Sequence, residues 1–327
     1  MISPSIPVSL LRAKTYDVDA LEQSIKAVLA PLGGMAAFVK PGDRVLLKPN
    51  LLTGSRPTKE CTTRPEVVYC VAKLVQDVGG HPFLGDSPAF GSAKGVAKAN
   101  GLLAWAEKLD LPIVELHGKR YDTAAEDFNN LLISKEAMDA DVVINLPKVK
   151  SHVQLTLTLG VKNLFGCVPG KMKAWWHMEA GKDRDRFGAM LVRTAEMVNP
   201  DLTILDGIIG HEGNGPSGGE PRDLGLLGAA TNVFALDRAM VEVLGIAPEQ
   251  VPTVHQSMQL GLCPDRADYQ FPLMSPNELA IADWQFPETL MPIDFGMPRV
   301  VKSTFRHLYI RFIKEPFAAY ARRSEVV

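Results

Sequence analysis

The sequence predicts an α/β protein: a largely parallel sheet with helices on both faces, plus an irregular C-terminal extension. Three observations predict it. Short, nearly continuous apolar runs recur along the chain, as strands buried on both faces require. Segments with apolar residues at helical spacing alternate with them. Polar residues that an ordinary turn does not need collect just after the apolar runs, where open parallel sheets bind ligands.

The elements follow in order. Residues 44–48 (RVLLK) read as a short buried strand, followed by the long loop PNLLTGSRPTKECT. Thr63-Arg64-Pro65-Glu66 reads as a capping box with proline in the first turn. Val67, Val68, Val71, Leu74, Val75 and Val78 continue at helical spacing until Gly79-Gly80. A strand, PFLGD, comes next, so this stretch is strand–helix–strand, a unit that is right-handed and parallel in nearly all sheets. Residues 92–109 predict a helix, 113–116 a strand, and 141–146 (DVVINL) a buried strand. Residues 187–198 predict a helix, 201–209 (DLTILDGII) a strand, and 232–245 a strand running into a helix. After about residue 262 prolines become frequent and the periodicity fades. The chain divides on this reading into an α/β domain, 1–272, and a Pro-rich extension with a basic amphipathic tail helix, 273–327.

Composition narrows the partners. A chain of 327 residues with 46% apolar content can build a real core, and a net charge of −2 gives no global attraction to nucleic acid. There is no secretory signature at the start, no run of roughly 20 apolar residues, and no CxxC among four separated cysteines. A reduced, cytoplasmic protein is expected, with no iron–sulfur cluster within this chain. The tail is an exception. Residues 299–327 hold seven Lys/Arg against two acids, leaving 28 basic and 35 acidic residues in the other 298. Val301, Phe305, Leu308, Tyr309 and Phe312 share one helical face there. A helix docking on its own acidic core or, as a homodimer, on a second copy of the chain is the plain expectation; a protein partner is the sharper one, and contact with a membrane surface ranks below.

The strand exits carry the candidate chemistry. The first ends in Lys48-Pro49-Asn50 and the second in Asp86-Ser87-Pro88. DVVINL runs into Pro147-Lys148-Val149-Lys150-Ser151-His152, and the strand containing Asp206 runs into His211-Glu212 and a glycine-rich loop. Any one of these is ordinarily a solvated charge. Lys48 and Lys148, however, sit beside stiffening prolines at the ends of apolar strands, where a charge needs a counter-ion or an anionic ligand. An internal ion-pair network with Asp86 and Asp206 is the plain alternative. Residues 147–173 are the densest segment, with Lys148, Lys150, His152, Lys162, Lys171 and Lys173 interleaved with Gly160, Gly166 and Gly170. Lysine with pliant glycine backbone suits a phosphate or carboxylate.

Roles follow from residue type. Lys148, His152, Asp86 and Asp206 are the acid–base candidates. Lys48, Asn50, Lys150, Lys162, Asn163 and Lys171 are candidate anion contacts. Gly213 and Gly215 would bring backbone close to the ligand, although their GxGxxG spacing, interrupted by Pro216 and late in the chain, is not a dinucleotide fingerprint. His177, His211 and Glu212 are the speculative metal ligands; none of the histidines forms HxH or HExxH. Trp175 and Trp176 read as a partly buried aromatic pair. No GxSxG elbow supports a serine triad.

The segments VLLKPNLL, TTRPEVV, GDSPAFG, INLPKVKSH, GVKNLFGCVPGKMK, LDGIIGHEGNGPSGG and VFALDRA together resemble the domain of unknown function 362 family, over roughly residues 44–245. The resemblance implies site roles for Lys48, Asn50, Asp86, Lys148, Lys150, His152, Lys162, Asn163, His177, Asp206, Glu212 and Asp237. It also implies an association with iron–sulfur proteins, since many relatives carry a ferredoxin-like module after this domain. This chain has the basic tail there instead. Members often have histidine where this chain has Arg64, so no role is carried to that position. The reading that follows is an enzyme acting on a small anionic substrate, with divalent-metal assistance as an option and the cofactor unknown. The alternatives are a redox accessory protein working with a separate iron–sulfur partner, and a ligand-binding protein without turnover.

Overall fold

In the strand Arg44–Pro49, alternation sends Val45 and Leu47 to one side and Leu46 to the other, and all three are fully buried. A strand apolar on both sides belongs inside a sheet covered on both faces. The computed structural model, which describes residues 5–170, 172–293, 305 and 308–314, shows that sheet.

In chain order the elements are β1 (Ile6–Arg12), α1 (Val18–Leu29), β2 (Arg44–Pro49), α2 (Pro65–Asp77), β3 (His81–Gly85), α3 (Ala93–Ala99), α4 (Leu102–Glu107) and β4 (Ile113–Val114). A two-stranded hairpin, β5 (Gly118–Asp122) and β6 (Asn130–Ser134), and a short α5 (Lys135–Met138) follow. Then come β7 (Val142–Leu146), β8 (Lys148–His152), β9 (Thr156–Thr158), α6 (Gly160–Leu164), α7 (Met172–Glu179) and α8 (Arg184–Val198). The chain continues through β10 (Leu202–Glu212), β11 (Glu220–Ala230), α9 (Val233–Val243), α10 (Pro252–Gln259) and β12 (Tyr269–Gln270).

The main sheet runs β12-β1-β11-β10-β7-β2-β3-β4. From β10 to β4 every neighbour is parallel, which places the four strands expected from sequence side by side. At the other edge β10, β11 and β1 are antiparallel. On one face α1 and α2 pack through Leu21, Ile25, Val67 and Val71 against Val45, Leu47 and Ile144. On the other, α6 and α8 cover Leu46, Phe83 and Val143, and α9 covers Leu205 and Leu226.

Several local expectations are corrected. Thr63 does not cap α2. Its hydroxyl donates to the Leu146 carbonyl at 2.6 Å and accepts from the Asn50 amide at 2.8 Å, while Arg64 occupies the cap position and Pro65 opens the helix. The helix expected over 92–109 breaks at Gly101, whose φ of 82° lies in the left-handed region. Residue 232 starts no strand. Asn232 instead caps α9 by accepting from Ala235, and the strand lies earlier, at β11.

One break in the sheet creates the site. The pairing of β2 with β7 ends at Pro49 and Leu146. Beyond Pro147 the chain resumes as β8, now between β10 and β9 and no longer beside β2. The gap between the end of β2 and β8 receives the polar side chains. Residues 284–293 then lie along β8. The Trp284 indole donates to Ser151 Oγ at 3.0 Å, Met291 N donates to the Val153 carbonyl, and Gln154 Nε2 donates to the Pro292 carbonyl. Among the described residues no helix is long and apolar enough to cross a membrane. Of the basic tail, residue 305 and residues 308–314 are described; the rest lies outside the described residues.

Candidate functional site

Strand alternation sets the polar face of β8. Lys148, Lys150 and His152 fall on one side, while Val149 enters the core and Ser151 turns to Trp284 on the other. All three polar side chains are buried. The buried face meets Lys48 at the end of β2 and Asp86 just past β3, and with them forms two compensated groups and one uncompensated one.

The first compensated group is Lys48 with Asp86. Their charged atoms are 2.9 Å apart, and the second carboxylate oxygen accepts from Leu51 N at 2.9 Å. Gly166 presses against this pair: an added methyl would overlap the Asp86 carboxylate and the Lys48 ammonium. The second group surrounds Lys148, which donates to Glu60 at 2.9 Å, Asp206 at 3.1 Å and the Tyr16 hydroxyl at 2.9 Å. Tyr16 in turn donates to Asp206 at 2.6 Å, and Arg64 bonds Glu60 and Glu66 while its backbone N–H donates to Asp206. Burial, then the Asp206 charge, pushes the Tyr16 phenol well above its ordinary pKa, so it stays a donor. Lys48 and Lys148 therefore each sit in an internal ion-pair network.

Lys150, Lys162 and Lys173 are different. Lys150, 1% exposed, donates only to neutral oxygens, Asn50 Oδ1 at 2.9 Å and the Cys61 carbonyl at 2.7 Å. Lys162 sits 4.5 Å from the centre of the Phe165 ring and 5.9 Å from that of Phe187. Lys173 donates to the Ser87 carbonyl and lies 5.9 Å from the Phe165 ring. Among the described residues none of the three has a carboxylate within ion-pair distance. Burial lowers Lys162 to about 7, helped by the Lys173, Lys150 and Lys48 charges. Burial is also the main cause that brings Lys150 and Lys173 to about 8. Lys162 and Lys173 keep part of their surface in contact with solvent, whereas Lys150 keeps almost none.

The histidines line the same region as neutral groups. His152 is held well below its usual range by burial and then by the Lys162 and Lys150 charges. Its Nδ1 accepts from Gln154 N at 3.1 Å, which puts the ring proton on Nε2. His177 lies 4.2 Å from the Phe187 ring and is lowered to about 3 by burial and Lys162. His211 accepts from Gly219 N at 3.1 Å and is lowered to about 4 by burial and Lys150.

The remaining expected residues fall into supporting positions. Asn163 donates to the Lys48 carbonyl at 3.0 Å and to Asn145 Oδ1 at 2.8 Å, tying α6 to the ends of β2 and β7. Asp237 accepts from Gly160 N and Val161 N at 2.7 and 2.9 Å, and burial raises its carboxyl to about 7. Gly213 and Gly215 approach the chain itself: Gly213 N donates to the Gln285 carbonyl, and the Gly215 carbonyl accepts from Val153 N. Glu212 accepts from Gln285 N at 3.0 Å. His177, His211 and Glu212 thus have separate engagements, and among the described residues no three His, Cys, Asp or Glu side chains are grouped to hold a metal. Cys61, Cys70, Cys167 and Cys263 are free thiols. Lys171 lies outside the described residues. The tryptophans separate: Trp176 packs edge-on to Phe128, and Trp175 is exposed.

Tyr16, Glu60, Cys61 and Phe165 were not anticipated. Glu60 and Cys61 lie in the long loop after β2, where only their distance from any periodic segment marked them. An open cleft of about 650 Å³ is lined by Lys14, Tyr16, Arg64, Glu66, Ile209 and Asp223 among others. It reaches the Lys148 group through Tyr16 and Arg64 but touches none of the three uncompensated lysines. Cleft size and charge therefore point to different places, and the unpaired buried charge is the more specific indicator of a ligand.

With this geometry in place, comparison adds the following. A family model described as a domain of unknown function, DUF362, matches residues 45–242. The thylakoid-associated protein sll1697 of Synechocystis sp. is 62% identical over 317 residues, covering 97% of this chain and 99% of that protein. The lactate racemase apoprotein from Thermoanaerobacterium thermosaccharolyticum superposes with a TM-score of 0.46 at 12% identity, over 74% of this chain and 57% of that one. The chain belongs to the DUF362 family.

Proposed function

We propose that this DUF362 member is an enzyme acting on a small anionic substrate, carboxylate- or phosphate-bearing, by acid–base chemistry at the lysine face of β8. One observation carries the reading: Lys150, buried, and Lys162 and Lys173, half-buried, have no carboxylate within ion-pair distance among the described residues. Such charge is costly unless a ligand compensates it or the amines shed their protons. A bound anion restores the protons and recovers the electrostatic energy. The anion approaches from the side of Lys162 and Lys173, which keep solvent contact. Lys162, with a pKa of about 7, is suited to accept or return a proton near neutral pH. His152 presents a neutral Nε2–H as a donor. Lys48–Asp86 and Lys148–Asp206 hold the surrounding charges in place.

Thermal unfolding with inorganic phosphate, citrate and succinate is the first test; protection at millimolar anion that sodium chloride does not reproduce supports the site. NMR of a panel of hydroxy acids and phosphate esters incubated with the protein then scores turnover. Protection without turnover favours a ligand-binding protein. Stoichiometric iron and sulfide in anaerobically purified protein favours the redox accessory reading, and a single stoichiometric divalent ion favours metal assistance.

The location we infer is peripheral, at a membrane surface. One fact supports it over the free cytoplasm expected from composition: the Synechocystis relative is named thylakoid-associated.

A further inference from the structure

We infer that the C-terminal segment docks this protein on an anionic lipid surface, with Phe305, Tyr309, Phe312 and Ile313 as its apolar contacts. The inference deepens the peripheral location proposed above and rests on it. Seven large apolar side chains are exposed among the described residues, and four of them are these. Phe305, Tyr309 and Phe312 are 68%, 56% and 66% exposed, values far from those of a helix packed on its own core. In sequence they stand at i, i+4, i+7 and i+8, the spacing of one helix face, and Ile310–Lys314 forms a π-helical turn.

Charge selects the occupant. Residues 299–327 hold seven Lys/Arg, whereas the rest of the chain carries seven more acidic than basic residues. If the acidic body were the partner, the aromatic side chains would be covered by it, and they are not. Aromatic residues beside basic ones are the composition of segments that lie in the headgroup region, where rings enter the acyl boundary and cations meet anionic lipid. In the chain the tail follows residues 284–293, where Trp284 donates to Ser151 and the Pro292 carbonyl accepts from Gln154 Nε2.

The test is flotation of the full chain with vesicles of phosphatidylcholine alone and with about one-third phosphatidylglycerol. Binding is expected only to the anionic vesicles and should weaken with salt. The double variant Lys302→Gln/Arg306→Gln should lower partitioning roughly 25-fold, each charge near the surface being worth about a factor of five. Phe305→Ser/Phe312→Ser should abolish binding with an unchanged melting temperature. If the wild type binds neither vesicle, the peripheral location and the docking segment both fail. If both variants bind like the wild type, the location stands and this segment is not the anchor. If the aromatic variant instead converts a dimer to a monomer by light scattering, the apolar side chains serve a second copy of the chain and the lipid assignment is overturned.

Discussion

The Lys148 ammonium lies 3.1 Å from the Asp206 carboxylate, on neighbouring parallel strands and with both side chains essentially inaccessible to water. Tyr16 and Glu60 complete the shell, so every charged atom of the pair has a partner. Removing one member of such a group strands the other. Lys148→Met should therefore destabilise the fold by about 3–5 kcal/mol, measured by urea unfolding. The protein that remains folded should keep its response to phosphate. Loss of the anion response without loss of stability would move Lys148 into the binding site.

Lys150→Met and Lys162→Met should behave the opposite way. Neither lysine neutralises a carboxylate, so each change removes a desolvated amine and leaves no orphaned acid. Stability without ligand should hold or rise slightly, and the protection given by phosphate or citrate should disappear. Protection at a hundredfold excess over Kd is worth about 2.7 kcal/mol, which a thermal shift resolves easily. Unchanged protection in both variants would remove the anion site from β8.

The four central strands were legible because their apolar runs are short and bounded, as Val142–Leu146 illustrates. The clustering of Lys148, Lys150 and His152 was legible as well, since period-two alternation places them on one face. What the chain order hides is which lysine meets an acid. Tyr16 and Glu60 lie more than 80 residues before Lys148, on irregular segments with no periodicity to aim them. The strand Ile6–Arg12 was missed because it is an antiparallel addition opened by Ile6-Pro7. Its partner β11 begins with charged and proline residues and contains two glycines, a weak strand signal that pairing with β10 overrides.

Gly166 offers a test of close approach without a change in charge. Its carbonyl accepts from Ser87 N at 3.0 Å, and its Cα faces the Lys48–Asp86 pair so closely that a methyl group overlaps both charged groups. Gly166→Ala should force the pair apart and cost on the order of 1–3 kcal/mol, read as a lower urea midpoint. Asp86 also anchors Leu51 N, so the loop after β2 should exchange its amide hydrogens faster. A variant as stable as the wild type would show that the loop yields freely.

The lowered lysines also fix a pH dependence. In the unfolded chain these amines hold their protons to about pH 10.4. In the folded protein Lys162 releases its proton near 7, and Lys150 and Lys173 near 8. Between those limits the unfolded state binds more protons, so the contribution of these groups to stability rises with pH across that window. Below pH 7 the folded state must carry the charges, and their full desolvation penalty is present. The wild type should therefore gain stability relative to Lys150→Met and Lys162→Met between pH 6.5 and 9, in paired urea titrations without added anion. Anion affinity should fall over the same interval, because the ligand needs the protonated amines. Binding near neutral pH should accordingly take up protons, visible by calorimetry as an enthalpy that changes with the ionisation heat of the buffer. An affinity flat from pH 6.5 to 9, with no buffer dependence, would mean that these lysines are charged throughout and carry a permanent counter-charge.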